Sequence, residues 1–241
     1  MAGRATSAYM TDMSALTIKI CGLSTPATLE AALDAGADMV GFVFFPPSPR
    51  HIESARAREL SVIAGSRALK VALSVDAADD YLDEIVATLK PDLLQLHGRE
   101  TPERVAQLRT RFGLPVMKAL GVSTEADFAP LQAYEEVADH LLFDAKPPKD
   151  ATRPGGNGHA FDWSLLTNRA FHRPWMLSGG LNCETIETAI LATRPPGIDV
   201  SSGVESSPGV KDSALIEAFV ARARAAEATL AEPLGSARES A

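Results

Sequence analysis

The sequence lacks any apolar run long enough to cross a bilayer, and it contains little cysteine. A membrane-spanning helix needs about 20 consecutive apolar residues, and no such stretch occurs among the 241 residues. The first sixteen residues, MAGRATSAYMTDMSAL, also lack the continuous apolar segment of a secretory signal. Two cysteines, Cys21 and Cys183, do not make a disulfide framework and fit a reducing compartment. We therefore expect a cytoplasmic protein with no membrane partner.

The sequence also contains fewer basic residues than acidic residues. The chain has 23 lysines and arginines against 31 aspartates and glutamates, which gives a formal net charge of −8. Nucleic-acid surfaces depend on clustered lysine and arginine, so we expect no nucleic-acid partner. The histidines show no metal-ligand spacing and there is no Cys/His cluster, so no metal site is expected. A glycine-rich dinucleotide fingerprint is also missing after the first apolar run.

The sequence instead contains a regular series of short apolar runs bounded by turn residues. Eight of them are predicted strands: TIKIC (17–21), MVGFVF (39–44), KVALSV (70–75), LLQLH (93–97), PVMKAL (115–120), HLLFDA (140–145), WMLSG (175–179) and IDVSSG (198–203). Most are apolar throughout, which is typical of parallel strands buried on both faces. Helical patterns lie between them, and two open with Thr-Pro, a cap followed by a first-turn proline. FDWSLLTNR is a short helix candidate after strand six.

Eight strand-then-helix units in roughly 210 residues predict an α/β fold, a single-domain (β/α)8 TIM barrel with eight parallel strands. A doubly wound open sheet with fewer strands is the alternative. We place the barrel at 17–227, between a flexible N-terminal extension at 1–16 and a flexible C-terminal tail at 228–241. The segment AKPPKDATRPGGNGHA (145–160) is interpreted as an active-site loop.

Residues with useful chemistry follow the predicted strands at their C-terminal ends, where barrel enzymes carry their active sites. Strands one, four and six end near Cys21, His97 and Asp144. Glycines and serines follow strands seven and eight, in LSGGLN and VSSGVESSPGVKD. Such loops let backbone N–H groups approach a phosphate, and barrels frequently build phosphate sites there. A Gly-Gly pair in one loop could simply turn the chain, but the signal in both loops favours a phosphate ligand.

A thiol and a carboxyl group at one barrel mouth can share base and acid roles if their environments tune them in opposite directions. On this interpretation Cys21 acts as a thiolate base and Asp144 as a protonated acid. The alternatives are a packed core cysteine and a strand-end carboxylate that caps a loop.

Other polar residues near the strand ends have two interpretations each. Arg50, in FFPPSPRHI, has a planar fork suited to a carboxylate, or else lies in solvent. His97 orients substrate, or else is a hydrogen-bonded core histidine. We interpret Lys118, inside strand five, as structural, and Cys183 as incidental.

Taken in order, the segments KICGLST, ALDAGADMVGFVFFPPSPRHI, LLQLHG, LLFDAKPP, WMLSGGLN and IDVSSGVESSPGVKD resemble the phosphoribosylanthranilate isomerase family of tryptophan biosynthesis. The resemblance spans residues 17–225, and K-I-C-G with S-S-G-V-E is its most specific part. It implies a TIM barrel that rearranges a small phosphosugar substrate, an aldose–ketose isomerisation of the Amadori type, without cofactor or metal. It leaves open whether the chain is a monomer or a homodimer.

The resemblance also implies roles for individual residues. Cys21 matches the family's general base, Asp144 its general acid, and Arg50 the arginine placed against the anthranilate carboxylate. The positions matching the family's phosphate loops are Gly179, Gly180, Ser202 and Gly203. We add His97 to the substrate-binding set because of its position at a strand end.

A few positions depart from the family pattern, at Ser74, Gly121 and Cys183. None of them is a proposed acid or base. Two competing functions remain: another phosphate-binding barrel enzyme of the same pathway, such as an indoleglycerol-phosphate synthase, and a non-catalytic phosphosugar-binding barrel. The first relies on lysine and glutamate at strand ends where this chain has Cys21 and Asp144. The second would be natural if Cys21 or Asp144 were missing, and both are present.

Overall fold

The computed structural model of the protein describes residues 15–146, 155, 160–167 and 169–231. Eight parallel strands close a barrel in chain order, β1 to β8, and β1 pairs with both β2 and β8. The strands are β1 (Thr17–Cys21), β2 (Met39–Phe44), β3 (Leu69–Ser74), β4 (Leu93–Leu96), β5 (Val116–Val122), β6 (His140–Ala145), β7 (Trp175–Leu177) and β8 (Gly197–Val200). The predicted (β/α)8 barrel is confirmed.

Helices cover the outside of the barrel. They are α1 (Pro26–Asp34), α2 (Ser54–Ala64), α3 (Asp79–Leu89), α4 (Pro102–Phe112), α5 (Leu131–Val137), α6 (Ile186–Thr193) and α7 (Ser213–Ala231). The two Thr-Pro signals start α1 and α4, where the threonine hydroxyl caps the first turn. Thr25 accepts a hydrogen bond from the backbone N–H of Thr28, and Thr101 accepts one from Arg104, each at 3.3 Å.

Several strand ends differ from the prediction because hydrogen-bonded partners, and not hydropathy alone, decide where a strand stops. Strand β5 continues to Val122 since its partner β6 continues to Ala145. Strand β7 stops at Leu177, before the two glycines. Strand β8 stops at Val200, and a 3-10 turn, Ser202–Val204, follows it.

Two elements on the C-terminal side of the barrel depart further from the prediction. The segment FDWSLLTNR forms a 3-10 turn at Trp163–Leu166. After β8, the strands β9 (Glu205–Ser207) and β10 (Val210–Lys211) form an antiparallel hairpin that was not predicted.

The ends of the barrel also extend past their predicted limits. Leu16 is buried, and its backbone N–H donates to the Glu227 carboxylate on α7. Helix α7 runs on to Ala231, beyond the predicted boundary at 227. Residues 1–14 and 232–241, which make up most of the predicted extension and tail, lie outside the described residues. Among the helices described, none combines the length and apolarity needed to cross a membrane.

Alternation along the strands divides the side chains between two environments. Val40, Phe42 and Phe44 of β2 pack with the helices in the main core, whereas Met39 and Val43 belong to smaller clusters on the other face. Methionine, valine, leucine and alanine side chains from six strands make up the larger of these clusters. The buried polar residues on the strands include Lys19, Gln95, Lys118 and Asp199.

Candidate active site

The predicted site residues meet at the C-terminal end of the barrel. A cavity opens there, and its volume is about 770 Å³ when the solvent space at its mouth is included. Seven of the predicted residues line it: Cys21, Arg50, His97, Asp144, Gly179, Gly180 and Ser202. Gly203 does not line the cavity and packs instead against the loop after β7. Residues that are far apart in sequence therefore share one concave site, as the barrel topology requires.

Cys21 is the last residue of β1, and its thiol faces the cavity. The neighbouring residue on β2 is Gly41, and a methyl group built there would lie 2.9 Å from the Cys21 Sγ atom. The absence of a side chain at Gly41 therefore makes room for the thiol. Burial raises the pKa of the Cys21 thiol above its ordinary value, while the positive charge of Lys19 opposes that rise.

Lys19 lies two residues before Cys21 and so on the same face of β1. It is fully buried, and its Nζ atom is 2.7 Å from Oδ1 of Asp199, its neighbour on β8. Burial alone would lower the pKa of Lys19, but the charges of Asp199 and Cys21 outweigh it and the pKa is raised. Ser178 donates to the other Asp199 oxygen at 3.3 Å. A cation is thus held directly beneath the thiol.

Sequence reasoning missed this ion pair. The signal was present, since Lys19 and Asp199 are the charged residues of two otherwise apolar strands. A buried charge is costly unless it is paired. Two opposite charges in strands that become neighbours on barrel closure therefore indicate an internal pair.

Asp144 lies near the end of β6, and its Oδ1 atom accepts a hydrogen bond from the backbone of Ala145 at 2.8 Å. Its Oδ2 atom is 3.3 Å from Nε2 of His97. The Nδ1 atom of His97 is 3.0 Å from the amide nitrogen of Gln95, which is fully buried. The ring therefore lies between the Gln95 amide and the Asp144 carboxyl group, with Nδ1 toward the amide and Nε2 toward the carboxyl group. His97 and Gln95 therefore fix the orientation of Asp144.

Arg50 is also buried, which rules out the solvated alternative. Its Nε and Nη2 atoms donate to the two carboxylate oxygens of Glu205 at 2.6 and 2.8 Å. Glu205 and its second partner, Lys211, come from the β9–β10 hairpin. Sequence analysis placed Arg50 at the site but did not identify the hairpin that holds it.

The glycines after β7 adopt backbone conformations that other residues rarely take. Gly179 and Gly180 have φ angles of +84° and +71°. A methyl group on Gly179 would lie 2.5 Å from the backbone nitrogen of Ala145, and one on Gly203 would lie 1.9 Å from the carbonyl oxygen of Leu181. The loop after β7 therefore packs so closely on the end of β6 at Gly179, and on the loop after β8 at Gly203, that only glycine fits at these two points.

The remaining candidates lie away from the cavity. Lys118 is buried, and its Nζ atom contacts Glu100 at 2.9 Å and the carbonyl of Gly98 at 2.7 Å, a structural role. Cys183 is half-buried, with its thiol 3.7 Å from the carbonyl of Leu215. Within the described ranges no group of three histidine, cysteine or acidic residues could hold a metal ion.

Most of the predicted active-site loop, 145–160, lies outside the described residues. Gly155 is one of the described positions and lines the cavity. A methyl group built on it would lie 2.5 Å both from Oδ2 of Asp144 and from Nε2 of His97. The loop thus meets the site at a glycine, directly beside the carboxyl group and the imidazole.

Comparison with known proteins decides the family. Residues 18–222 match the family described as N-(5'phosphoribosyl)anthranilate (PRA) isomerase. A protein of that name from Nitrobacter winogradskyi is 61% identical over 90% of this chain and 96% of its own length. One from a Bradyrhizobium species is 61% identical over 88% of this chain and 97% of its own.

The chain belongs to the PRA isomerase family.

Solved structures of PRA isomerases support the family assignment. The enzyme from Thermotoga maritima superposes with a TM-score of 0.79 at 37% identity, covering 88% of this chain and all of that one. A PRA isomerase crystallised with reduced 1-(o-carboxyphenylamino)-1-deoxyribulose 5-phosphate gives a TM-score of 0.75 at 34% identity, with the same coverage. The predicted family, and with it the prediction of an isomerase, is confirmed.

Proposed function

We propose that this chain catalyses the Amadori rearrangement of N-(5'-phosphoribosyl)anthranilate to 1-(2-carboxyphenylamino)-1-deoxyribulose 5-phosphate, a step of tryptophan biosynthesis. Membership of the PRA isomerase family supports the reaction. The observation that carries its mechanism is that the Cys21 thiol and the Asp144 carboxyl group, from β1 and β6, line one cavity. A base and an acid on separate strands can reach different atoms of one substrate.

Ring opening is the first step, and we assign it to Asp144. Its carboxyl group delivers a proton to the ribose ring oxygen while the anilino nitrogen lone pair forms a C1'=N⁺ bond and the C1'–O bond breaks. The proton ends up on the former ring oxygen, which becomes a hydroxyl group of the opened sugar when it leaves C1'. His97, 3.3 Å from Oδ2, orients the carboxyl group for this transfer.

Proton removal from C2' follows, and we assign it to Cys21. The cationic C1'=N⁺ group acidifies the C2' hydrogen, so the Cys21 thiolate can take it, and the electron pair moves into a C1'–C2' double bond. Because burial disfavours the thiolate, a counter-charge is needed, and Lys19 beneath the thiol supplies it. The resulting enolamine takes a proton at C1' and loses the proton of its C2' hydroxyl group, which gives the ketone.

The two ends of the substrate carry negative charge, and the site offers a partner for each. Arg50 binds the anthranilate carboxylate at one side of the cavity. The loops after β7 and β8 bind the phosphate through Gly179, Gly180 and Ser202, which line the cavity, while Gly203 lets the two loops pack against each other. Support for the phosphate site comes from the close backbone packing at Gly179 and Gly203.

Conversion of freshly prepared phosphoribosylanthranilate tests the function directly. Purified full-length chain should abolish the fluorescence of the substrate, and the product should show the C1' methylene of the aminoketose by NMR. Tight binding of the reduced product analogue without conversion would instead indicate a non-catalytic barrel. Formation of an indole from the aminoketose would indicate the other pathway enzyme.

We also propose that the enzyme works in the cytoplasm as a monomer or homodimer. The free thiols of Cys21 and Cys183 are what a reducing compartment preserves. Light scattering of the purified chain separates the two assembly states.

A further inference from the structure

The hairpin β9–β10 surrounds Arg50 with a second ion pair that the proposed mechanism does not use. Glu205 binds the Arg50 fork through both oxygens, at 2.6 and 2.8 Å. The same carboxylate accepts hydrogen bonds from Lys211 Nζ at 2.7 Å and from the backbone of Gly209 at 3.1 Å. Every one of these contacts lies within one hairpin and the loop that carries Arg50, so the three side chains form one unit, which we name the Arg50 clamp (Arg50, Glu205 and Lys211).

The side chains of the clamp are shielded from water. Those of Arg50 and Glu205 are 4% and 3% exposed, and that of Lys211 is 1% exposed. The hairpin is seated so closely that a methyl group on Gly209 would lie 2.6 Å from the carbonyl oxygen of Pro49. The clamp therefore has a fixed geometry and a low local dielectric, in which each charge has a strong effect on its neighbours.

Charge counting shows what Lys211 adds. A bidentate Arg–Glu pair has no net charge, so Glu205 by itself would cancel much of the attraction of Arg50 for an anion. The hydrogen bonds and charges of Arg50 and Lys211 outweigh the burial of Glu205 and hold the pKa of its carboxyl at about 2, so it is ionised. With Lys211 protonated, two cations face one anion and the clamp carries one net positive charge at the cavity wall.

We propose that Lys211 is a positioning residue that restores the anion affinity of Arg50, so that the β9–β10 hairpin determines specificity for substrates with a carboxylate on the aryl amine. This inference rests on the proposed function, since it assumes that Arg50 receives that carboxylate. Glu205 fixes the plane of the guanidinium group, and Lys211 offsets the charge of Glu205. Neither residue touches the reacting atoms.

The alternative is that Lys211 has a purely structural role, and the experiment must distinguish this role from the electrostatic one. Its Nζ atom also donates to the carbonyl oxygen of Ser201 at 2.8 Å and contacts the Ser201 hydroxyl at 3.1 Å. Removing the side chain would loosen the loop after β8 whatever its charge does. The test therefore needs a readout that depends on the ligand's carboxylate and not on the loop alone.

Two unreactive ligands provide that readout: the reduced product analogue and the same compound without its aryl carboxylate. Affinities of both are measured by calorimetry for the parent chain, Lys211→Gln, Lys211→Met and Lys211→Arg. We expect the glutamine and methionine variants to lose about ten- to a hundredfold more affinity for the carboxylated ligand than for the other ligand. The arginine variant should recover most of the loss, and KM for phosphoribosylanthranilate should follow the same order.

Equal losses for both ligands in Lys211→Gln would overturn the proposal in favour of a structural role, and so would unchanged affinity for the carboxylated ligand. If Lys211→Met fails to fold, Lys211→Gln decides, because it keeps a hydrogen-bonding group and removes only the charge. The proposed function is tested separately by turnover of the parent. If the parent chain discriminates between the two ligands but converts no substrate, the proposed function is wrong and the proposed role of the Arg50 clamp stands.

Discussion

The Nε2 atom of His97 lies 3.3 Å from the Oδ2 atom of Asp144, although His97 follows β4 and Asp144 lies on β6, and these two strands are not neighbours in the barrel. Strand β5 lies between β4 and β6, so the contact spans the mouth of the barrel above it. The Gln95 amide nitrogen contacts the other ring nitrogen, Nδ1, at 3.0 Å. The Asp144 carboxyl group is therefore held in one orientation by a short chain of polar side chains.

Replacing Asp144 by asparagine keeps its shape and removes its proton. We expect Asp144→Asn to lower kcat by ~10²–10⁴-fold with little change in KM, since a positioned acid contributes about that factor. Steady-state kinetics on phosphoribosylanthranilate measure both. The matched control is Asp80→Asn, an exposed position on α3, which should match the parent. Near-parent turnover by Asp144→Asn would remove its assignment as the acid.

Arg50 should affect binding more than turnover. Arg50→Lys keeps the charge and loses the planar fork, while Arg50→Ala loses both, so we expect KM to rise about tenfold and about a hundredfold respectively, as charge-assisted hydrogen bonds are removed. Arg58→Ala, at an exposed position on α2, is the control. A loss confined to kcat would contradict a role in holding the substrate carboxylate.

Close packing between the loops after β7 and β8 makes Gly203 a sensitive position. Gly203→Ala places a methyl group 1.9 Å from the Leu181 carbonyl oxygen, so the loops must separate. We expect it to reduce the free energy of unfolding by about 1–3 kcal/mol, as overpacking does, and to raise KM. At Gly121 the nearest atom to such a methyl group is 3.6 Å away, so Gly121→Ala should change neither. Equal melting temperatures and KM values for the two variants would contradict this account.

Glu205 makes stability depend on pH in the acid range. Burial would raise the pKa of its carboxyl, but Arg50 and Lys211 lower it from the ordinary 4.5 to about 2. Because the folded-state pKa is the lower one, its stabilising contribution is complete above pH 4.5 and is lost as the pH falls through about 2. The contribution is on the order of 3 kcal/mol.

Denaturant unfolding between pH 6 and pH 2 tests that dependence. The difference in unfolding free energy between the parent and Glu205→Gln should be largest at pH 6 and shrink steadily below pH 4.5. Glu187→Gln, at an exposed position on α6, serves as the control and should run parallel to the parent. A difference that does not change with pH would show that Glu205 acts through packing and not through charge.

The sequence was sufficient to predict the barrel because most of its strands are short, largely apolar runs that need two buried faces. It was also sufficient to locate Cys21 and Asp144 at the active end, since β1 and β6 both end there. The β9–β10 hairpin escaped prediction because ESS and VK are too short and too polar to produce a strand pattern.

Ion pairs across the barrel were the other element that sequence reasoning did not find. Lys19 and Asp199 are 180 positions apart, and Arg50 and Glu205 are 155 apart. A periodic pattern indicates which face of a strand a residue occupies, but it does not indicate which distant residue pairs with it. Only the closure of the barrel between β1 and β8 brings Lys19 and Asp199 together.

The central claim, that the Cys21 thiolate removes the C2' proton, is tested most directly by turnover of phosphoribosylanthranilate by Cys21→Ala beside Cys183→Ala. Cys183 is half-buried and outside the cavity, so its variant controls for the loss of a thiol. We predict a kcat reduced by ~10²–10⁴-fold in Cys21→Ala and unchanged in Cys183→Ala. Parent-like turnover by Cys21→Ala would contradict the claim and show that another group takes the proton.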